Sequence, residues 1–277
     1  MSDARREKLR NYAGEDQVIS SQEMQAAFDA QVQPAFRVKS KIPSLDSLIE
    51  DFRAGELVTI SGPTKNGKTL LSQTLSVNFI KQRCNPLWFT YEVPARQFLS
   101  QFPALPALYM PTKLKAHAMG WLEERMVESY EKYNTRVVFI DHLHYLVDMA
   151  RMKSPSIEIG TVVRRLKGIA VQNEFVIFLL CHTTKGKQDG NLSYESIRDS
   201  SFVSQESDTV FMVQRKPEFG ENAARLRVEF HRRTGVMERT VDLVKENGLL
   251  FEAAPFEVPE ETATKTHRRA NYGGKYD

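Results

Sequence analysis

Cysteine is scarce in this sequence. Cys84 and Cys181 are the only two in 277 residues, and they form neither a CxxC pair nor a spacing typical of metal ligands. Both lie beside or inside apolar runs, so we expect buried free thiols and no disulfide framework. This usage of cysteine is typical of a reducing compartment.

Long apolar runs are missing as well. No stretch approaches the ~20 consecutive apolar residues that a membrane-spanning helix needs. The N-terminus also has no signal-peptide core. We therefore expect a soluble, cytoplasmic protein with no membrane partner.

A large excess of charge of one sign is also absent. Lys and Arg together number 38 and Asp and Glu 35, which leaves a formal net charge of +3 at pH 7. Composition alone does not predict nucleic-acid binding, and any contact with DNA or RNA must come from local basic loops. The hydrophobic content of 41% suffices for a sizeable core, in one large domain or two small ones.

What the sequence does contain is a complete phosphate-binding loop. Residues 62–69 read Gly-Pro-Thr-Lys-Asn-Gly-Lys-Thr and match the pattern GxxxxGK[ST]. Leu57–Ile60 before the loop is typical of a buried strand, and apolar residues after it recur at helical spacing. A strand, a glycine loop and a helix in this order present backbone N–H groups to an anion. A chance glycine turn would lack these flanks, so we predict that the chain binds ATP or GTP.

The loop predicts a set of binding residues. We expect Lys68 to reach the β and γ oxygens of the nucleotide and Thr69 to hold Mg²⁺. The residues expected to contact the nucleotide and its metal are Gly62, Thr64, Lys65, Asn66, Gly67, Lys68 and Thr69.

Strands and helices alternate after this loop, which predicts an α/β fold with a mostly parallel central sheet and helices on both faces. From residue 225 onward the pattern changes to short strands joined by turns such as Asn247-Gly248, which predicts antiparallel edge strands at the C-terminal end. The predicted strands after the phosphate loop are Asn85–Tyr91, Arg136–Ile140, Glu174–Cys181, Asp208–Gln214, Leu226–Phe230, Arg239–Val244 and Leu249–Phe251.

Composition also predicts the domain limits. Residues 1–35 are polar, with helical patches near Arg5–Tyr12 and Ser21–Ala30, and form an arm that either contacts a neighbouring subunit or is mobile. Residues 36–256 form one nucleotide-binding domain. Residues 257–277 are basic with little to bury, which predicts a disordered tail.

Polar residues follow three of the predicted parallel strands, where ligands of open α/β sheets bind. Asp141 ends an apolar strand and is either a Mg²⁺ ligand, acting through water, or a helix cap. Glu92 either polarises the water that attacks the γ-phosphate or is a solvated loop residue. His182 either hydrogen-bonds the γ-phosphate and senses its loss or is structural.

Two arginines near the C-terminal end have two interpretations. Arg232 and Arg233 precede Gly235 after an edge strand. They are either surface charge or a finger inserted into the ATP site of a neighbouring subunit, which requires an oligomer.

These segments together resemble the RecA-like motor domain of DnaB-type hexameric replicative helicases. The resemblance runs from about Ile42 to Leu250. The segments that carry it are Ile42-Pro43-Ser44-Leu45-Asp46, Phe52–Leu57, Tyr91-Glu92-Val93-Pro94, Ile140-Asp141-His142-Leu143, Ile157–Gln172, Val176–Thr184, Ile197–Arg215 and His231-Arg232-Arg233-Thr234-Gly235.

The resemblance implies roles for the strand-end residues and for a DNA contact. It implies that Glu92 activates water, that His182 senses the γ-phosphate, and that Arg233 is the finger supplied in trans. It also implies a hexameric ring with single-stranded DNA in its pore, and it leaves a primase or a polymerase open as a protein partner. It places Arg198 and Asp199 beside the DNA, together with neighbouring backbone amides. Lys185 and Lys187, in the loop 183–192, either add positive charge against the DNA phosphates or are solvated.

The sequence departs from the family in several places. His182 stands where most members have Gln, although related phage primase-helicases use His. His231 replaces a lysine, so that a fixed positive charge becomes a titratable one. Ser201 replaces a glycine of the DNA loop. The family's N-terminal helical domain has no counterpart in the short arm, which favours a phage or plasmid type and gives no support for primase recruitment through such a domain.

Three functions are compatible with these features. The first is an ATP-driven DNA helicase or translocase that works as a ring, with 5′→3′ polarity implied by the resemblance alone. The second is a RecA/RadA-like recombination, clock-type or accessory ATPase that assembles on DNA or protein without unwinding. The third is a regulatory or loading subunit with poor turnover.

Overall fold

The computed structural model describes residues 2–14, 16–30, 35–148, 155–182 and 200–256. The chain divides into two units, Met1–Ala35 and Phe36–Asp277. The first unit contains two helices, α1 (Asp3–Arg10) and α2 (Ser21–Asp29), and neither has a buried residue. A role for this arm in subunit contact stays a prediction. The predicted tail, 257–277, lies outside the described residues.

The second unit alternates helices and strands. Its helices are α3 (Pro43–Ile49), α4 (Lys68–Ile80), α5 (Ala95–Leu99), α6 (Met119–Tyr133), α7 (Pro155–Gln172) and α8 (Ser200–Glu206). Its strands are β1 (Arg37–Val38), β2 (Phe52–Arg53), β3 (Leu57–Ser61), β4 (Leu87–Thr90), β5 (Val137–Asp141), β6 (Val176–Leu180), β7 (Thr209–Arg215), β8 (Ala223–His231), β9 (Val236–Glu246) and β10 (Leu249–Glu252).

Among the described residues, eight strands form one sheet in the order β10-β9-β8-β7-β3-β6-β5-β4. Neighbours from β7 to β4 are parallel, and neighbours from β7 to β10 are antiparallel. β1 and β2 make a separate antiparallel pair. The predicted α/β fold, with a mostly parallel central sheet and antiparallel strands at its C-terminal end, is confirmed.

The sheet is buried on both faces because successive side chains of each parallel strand point to opposite layers. In β5, Val137 and Phe139 belong to one apolar cluster, and Val138 and Ile140 belong to the other. Aromatic rings fill the first cluster, where Phe139 and Phe178 stack with centroids 4.6 Å apart. Packing from both sides fixes the strands, and therefore also fixes the positions of the residues that follow their ends.

The antiparallel strands are longer than the sequence predicts. β8 and β9 extend beyond the apolar runs on which the prediction rested, and their pairing continues from Ala223 with Val244 to His231 with Val236. Hydrogen bonds between paired strands satisfy the backbone N–H and C=O groups regardless of the side chains. Two strands can therefore stay paired beyond the residues whose side chains alternate between apolar and polar.

Both cysteines are free thiols, and Cys181 is buried whereas Cys84 is half-buried. Burial raises the pKa of each thiol to about 12, which keeps both in the unreactive protonated form at neutral pH. No helix among the described residues is long and apolar enough to cross a membrane.

Candidate nucleotide-binding site

The phosphate loop connects the end of β3 to the start of α4. Gly62 has a φ of 148°, and a Cβ there would lie 2.2 Å from the backbone oxygen of Val213. Gly67 has a φ of 99° and is the residue before the helix. Only glycine permits this path at both positions, because L side chains rarely adopt such φ values and Gly62 lies against a neighbouring strand. The loop therefore directs the N-terminus of a 13-residue helix toward the space above the sheet.

Lys68 begins that helix and turns back into the loop. Its ammonium group donates hydrogen bonds to the carbonyl oxygens of Gly62, at 2.9 Å, and Pro63, at 3.0 Å. Only 6% of the residue is exposed. Burial lowers the pKa of Lys68, and the nearby Glu92 and Asp141 oppose this shift. A buried cation held mainly by carbonyl groups is well placed to exchange them for phosphate oxygens.

Three further loop residues lie at the rim. Thr64 and Lys65 are exposed, and the side-chain amide of Asn66 donates to the carbonyl of Thr64 at 3.1 Å. The Asn66 side-chain oxygen accepts a hydrogen bond from the backbone N–H of Arg215 at 3.0 Å. This bond ties the loop to the carboxyl end of β7.

Asp141 ends β5 beside the start of α4. The Thr69 hydroxyl donates to Asp141 Oδ2 at 3.0 Å, and Asp141 is only 3% exposed. Burial raises the pKa of Asp141 to about 7, and Glu92 adds to this increase, while the bond from Thr69 opposes it. A buried carboxylate and a hydroxyl within hydrogen-bonding distance are a ligand pair of the kind that Mg²⁺ takes from such sites, and bound Mg²⁺ would favour the ionised form. These residues therefore fit the metal that the sequence predicts.

Glu92 and His182 lie next to this pair, at the ends of β4 and β6. His182 Nε2 is 3.9 Å from Glu92 Oε2. Burial lowers the pKa of His182 and Lys68 lowers it further, whereas Glu92 raises it. The structure thus brings Lys68, Thr69 and Asp141 together with both predicted catalytic residues, at one edge of the parallel sheet.

Arg233 is not part of this assembly. Its guanidinium contacts Glu50 at 2.5 Å, Asp51 at 3.1 Å and Glu56 at 3.4 Å, and it also donates to the carbonyls of Ile49 and Asp51. We call Glu50, Asp51 and Glu56 the acidic cluster. Burial raises the pKa of Glu56, although the Arg53 backbone and Arg233 oppose this.

The acidic cluster lies at the opposite end of the sheet from the phosphate loop. β8 ends at His231, which pairs with Thr209, the first residue of β7. Glu56 immediately precedes β3, and Gly62 immediately follows it. Five residues of strand span about 17 Å. Arg233 therefore cannot reach the phosphate loop of its own chain without a large rearrangement.

His231 does not behave as a charged substitute for lysine at neutral pH. It is 1% exposed, and its Nδ1 lies 2.7 Å from the Thr234 hydroxyl and accepts the Thr234 backbone N–H at 3.2 Å. Burial, together with the nearby Arg233, lowers the pKa of His231 to about 4. The imidazole is therefore neutral, and its role here is to shape the turn before Gly235.

The predicted DNA contacts fall on a part of the chain that the structure leaves undescribed. Lys185, Lys187, Arg198 and Asp199 lie outside the described residues. Sequence reasoning also missed residues that the structure places at the site. The ring of His142 lies 4.2 Å from the ring of His182, and His144 is next to both. The signal for them was the His-Leu-His triplet directly after Asp141.

Comparisons with known proteins agree with the predicted fold and family. Residues 112–247 match the family model of the DnaB-like helicase C terminal domain. A probable replicative DNA helicase of Trieres chinensis is 22% identical over 214 residues, which cover 64% of this chain and 47% of that protein. The chain thus spans about half the length of this curated relative.

Solved structures share the fold at low identity. A DnaB-like replicative helicase, described with its interactions with primase, superposes with a TM-score of 0.71 at 17% identity, over 86% of this chain and 68% of that one. A solved ATPase domain superposes with a TM-score of 0.72 at 16% identity, over 84% of this chain and 96% of that domain. The KaiC-like protein PH0186 of Pyrococcus horikoshii OT3 superposes with a TM-score of 0.61 at 16% identity, over 80% of this chain and 100% of that protein. With residues 112–247 matching the family and the fold matching its solved relatives, this chain resembles the RecA-like motor domain of DnaB-type replicative helicases.

Proposed function

We propose that this chain is an ATP-driven, ring-forming DNA helicase that translocates on single-stranded DNA in replication of phage or plasmid type. The observation that carries the proposal is the convergence of Lys68, Thr69, Asp141, Glu92 and His182 at the carboxyl ends of neighbouring parallel strands. A phosphate cradle that adjoins both a carboxylate and an imidazole has the components for hydrolysis as well as binding.

The phosphates of ATP are held by the loop and the start of α4. Backbone N–H groups of residues 64–69 and the Lys68 ammonium face the β and γ oxygens, and Thr64, Lys65 and Asn66 form the outer rim. Thr69 and Asp141 hold Mg²⁺, which when bound neutralises charge that develops on the phosphates.

Glu92 and His182 perform the steps around the γ-phosphate. The Glu92 carboxylate accepts a proton from the attacking water and orients it. A neutral His182 carries one N–H, which donates to a γ-phosphate oxygen, and loss of that phosphate removes the partner. His182 is three residues before Lys185, so that the same connection leads to the proposed DNA contacts.

Arg233 completes the site of a neighbouring subunit. Because it lies at the amino ends of β3 and β7, it faces away from its own loop, and a head-to-tail ring would bring it to the next subunit's nucleotide. A hexamer follows from the family resemblance, and the N-terminal arm is available as a subunit contact. In the single chain Arg233 is held by the acidic cluster, so assembly has to release it.

Single-stranded DNA is bound by residues of the segment that lies between β6 and α8 in the sequence. Lys185 and Lys187 supply positive charge, and Arg198 and Asp199 contact the backbone of the strand. Contacts of this kind are salt-sensitive and independent of sequence. A primase or a polymerase is the proposed protein partner.

Strand displacement on a forked duplex tests the proposal. We expect ATP hydrolysis to be stimulated by single-stranded DNA, and we expect ATP-dependent displacement from a fork that carries a 5′ tail. Lys68→Ala serves as the control without turnover. Turnover indifferent to oligonucleotides, together with no displacement on either fork polarity, would contradict the proposal.

A second function has some support. The likeness to a KaiC-like protein extends over all of that chain, so the fold alone is compatible with an ATPase that assembles without unwinding. Filaments on DNA without strand displacement would favour this recombination-type or accessory ATPase.

A further inference from the structure

Three neighbouring strand ends carry side chains that are metal ligands by type. Glu92 follows β4, His142 follows β5 and His182 follows β6. One ligand atom from each of the three lies within 4.8 Å of the others. The order β6-β5-β4 in the sheet explains the grouping, because residues just beyond adjacent parallel strands lie side by side. We call these residues the His-Glu triad.

The spacing suits a small divalent ion after a limited movement. Bonds of about 2.0–2.1 Å in tetrahedral geometry place ligand atoms roughly 3.3 Å apart. His182 Nε2 and Glu92 Oε2 are already at 3.9 Å. The Glu92 side chain is 41% exposed, so rotation of its carboxylate toward the two imidazoles meets little resistance.

Both imidazoles have to be neutral to bind a metal, since only a neutral ring can donate a lone pair. His182 Nδ1 is buried and has no hydrogen-bond partner among the described residues. The positive charge of Lys68 opposes binding of a cation at the triad, whereas the negative charges of Glu92 and Asp141 favour it.

We propose that the His-Glu triad binds a divalent transition metal such as Zn²⁺, and that the bound metal blocks ATP hydrolysis. Two imidazoles and one carboxylate form a set that Zn²⁺ prefers, whereas Mg²⁺ prefers oxygen ligands and stays with Thr69 and Asp141. The inhibition rests on the proposed function, because the metal occupies the Glu92 carboxylate and the His182 imidazole that hydrolysis requires. Binding of the metal is independent of that function.

Binding is tested on the nucleotide-free protein without an affinity tag. Co²⁺ is titrated in and its visible absorption is read, with Zn²⁺ then added as a competitor. We expect one equivalent of Co²⁺ per chain, displaced by Zn²⁺. His142→Asn should weaken binding at least tenfold, and Glu92→Gln should weaken it as a second variant in case the first does not fold. His144→Asn is the matched control, since His144 adjoins the triad without belonging to it.

Three outcomes decide between the parts of the proposal. Equal Co²⁺ affinity in the wild type and in His142→Asn or Glu92→Gln, or an equal loss in His144→Asn, would overturn the metal site. Inhibition is then measured as the ratio of MgATP turnover with and without Zn²⁺, with reversal by a zinc-selective chelator under excess Mg²⁺. A ratio near one in a protein that binds Co²⁺ through the triad would overturn the inhibition. Absent turnover with MgATP in buffer free of transition metals, with Co²⁺ binding intact, would instead refute the proposed function and leave the metal site standing.

Discussion

Replacement of Arg233 by Ala should have two separable consequences, one for folding and one for turnover. For folding, the change removes the only cation that contacts all three carboxylates of the acidic cluster among the described residues. The side chains of Asp51 and Glu56 are 8% and 10% exposed, so the substitution takes the Arg233 cation away from two largely buried carboxylates. Loss of one partner from a buried ion pair costs about 3–5 kcal/mol, and we expect less here because Asp51 keeps the Arg53 guanidinium at 2.7 Å. Glu50 is 60% exposed and contributes little.

We therefore expect Arg233→Ala to lower the free energy of unfolding by about 2–3 kcal/mol, measured from the urea midpoint. Two matched variants calibrate this value. Glu50→Gln should cost less than about 1 kcal/mol because the pair it breaks is exposed. Arg232→Ala, which removes an exposed side chain bonded to the Gln205 carbonyl, should change stability by less than about 1 kcal/mol. A destabilisation by Arg233→Ala no larger than that by Arg232→Ala would refute the account of the acidic cluster.

For turnover, the same substitution should leave nucleotide binding intact and reduce hydrolysis by roughly 10³–10⁵, the usual effect of an arginine finger. Arg232→Ala should retain turnover. Mixed rings of Arg233→Ala and Glu92→Ala subunits should recover activity, because about one quarter of randomly formed head-to-tail interfaces regain both groups. Turnover of Arg233→Ala within a few-fold of wild type, or a mixture no more active than its parts, would refute the assignment in trans.

Four further substitutions test the site and its surroundings. Lys68→Ala should abolish hydrolysis and weaken nucleotide binding, seen by titration with a fluorescent ATP analogue, because the buried ammonium that faces the phosphates is lost. Gly62→Ala should also weaken nucleotide binding, since its Cβ would meet the Val213 backbone oxygen at 2.2 Å, whereas Gly168→Ala in α7 has open space and should stabilise the fold by about 0.5–1 kcal/mol. His231 has a pKa of about 4 in the folded chain against 6.5 in the unfolded one, so the unfolded chain binds its proton first as the pH falls. Its contribution to stability is complete above pH 6.5 and is lost between pH 6.5 and 4, by about 3 kcal/mol, and the urea midpoint of His231→Gln should fall less over this range than that of the wild type.

Local patterns predicted which residues meet beside the phosphate loop. The loop motif singled out Lys68 and Thr69, and the apolar strand ending in Asp141 singled out the carboxylate that Thr69 contacts, because each signal is contiguous in the chain. Their roles in binding nucleotide and metal stay predictions. The α/β fold followed from the same regularity. The predicted convergence of Glu92 and His182 needed the strand order, which the alternation of elements does not determine but the family resemblance supplies.

Other features depend on contacts between distant parts of the chain. Nothing in the sequence around His231 indicates that the fold buries the imidazole and keeps it neutral. Likewise, Arg233 meets the acidic cluster across more than 170 residues of sequence, and only the pairing of β8 with β7 brings them together. The His-Glu triad was missed for the same reason, since its three members come from three strands.

The strand β3 links the two halves of the proposed mechanism. Glu56, at its amino end, contacts Arg233, and Gly62, at its carboxyl end, opens the phosphate loop, with about 17 Å of strand between them. A rigid separation of this kind excludes completion of the site within one chain, so Arg233 is either a structural residue or a residue for a neighbour. Its partners distinguish the two cases energetically. Arg233 can leave the acidic cluster for a neighbour's nucleotide only if its new contacts are stronger than the old ones. The contacts with the acidic cluster are expected to stabilise the chain by roughly 2–3 kcal/mol, which the new contacts must offset. Phosphate oxygens accept paired, charge-assisted hydrogen bonds from a guanidinium, so release of Arg233 depends on both the neighbour and its bound ATP.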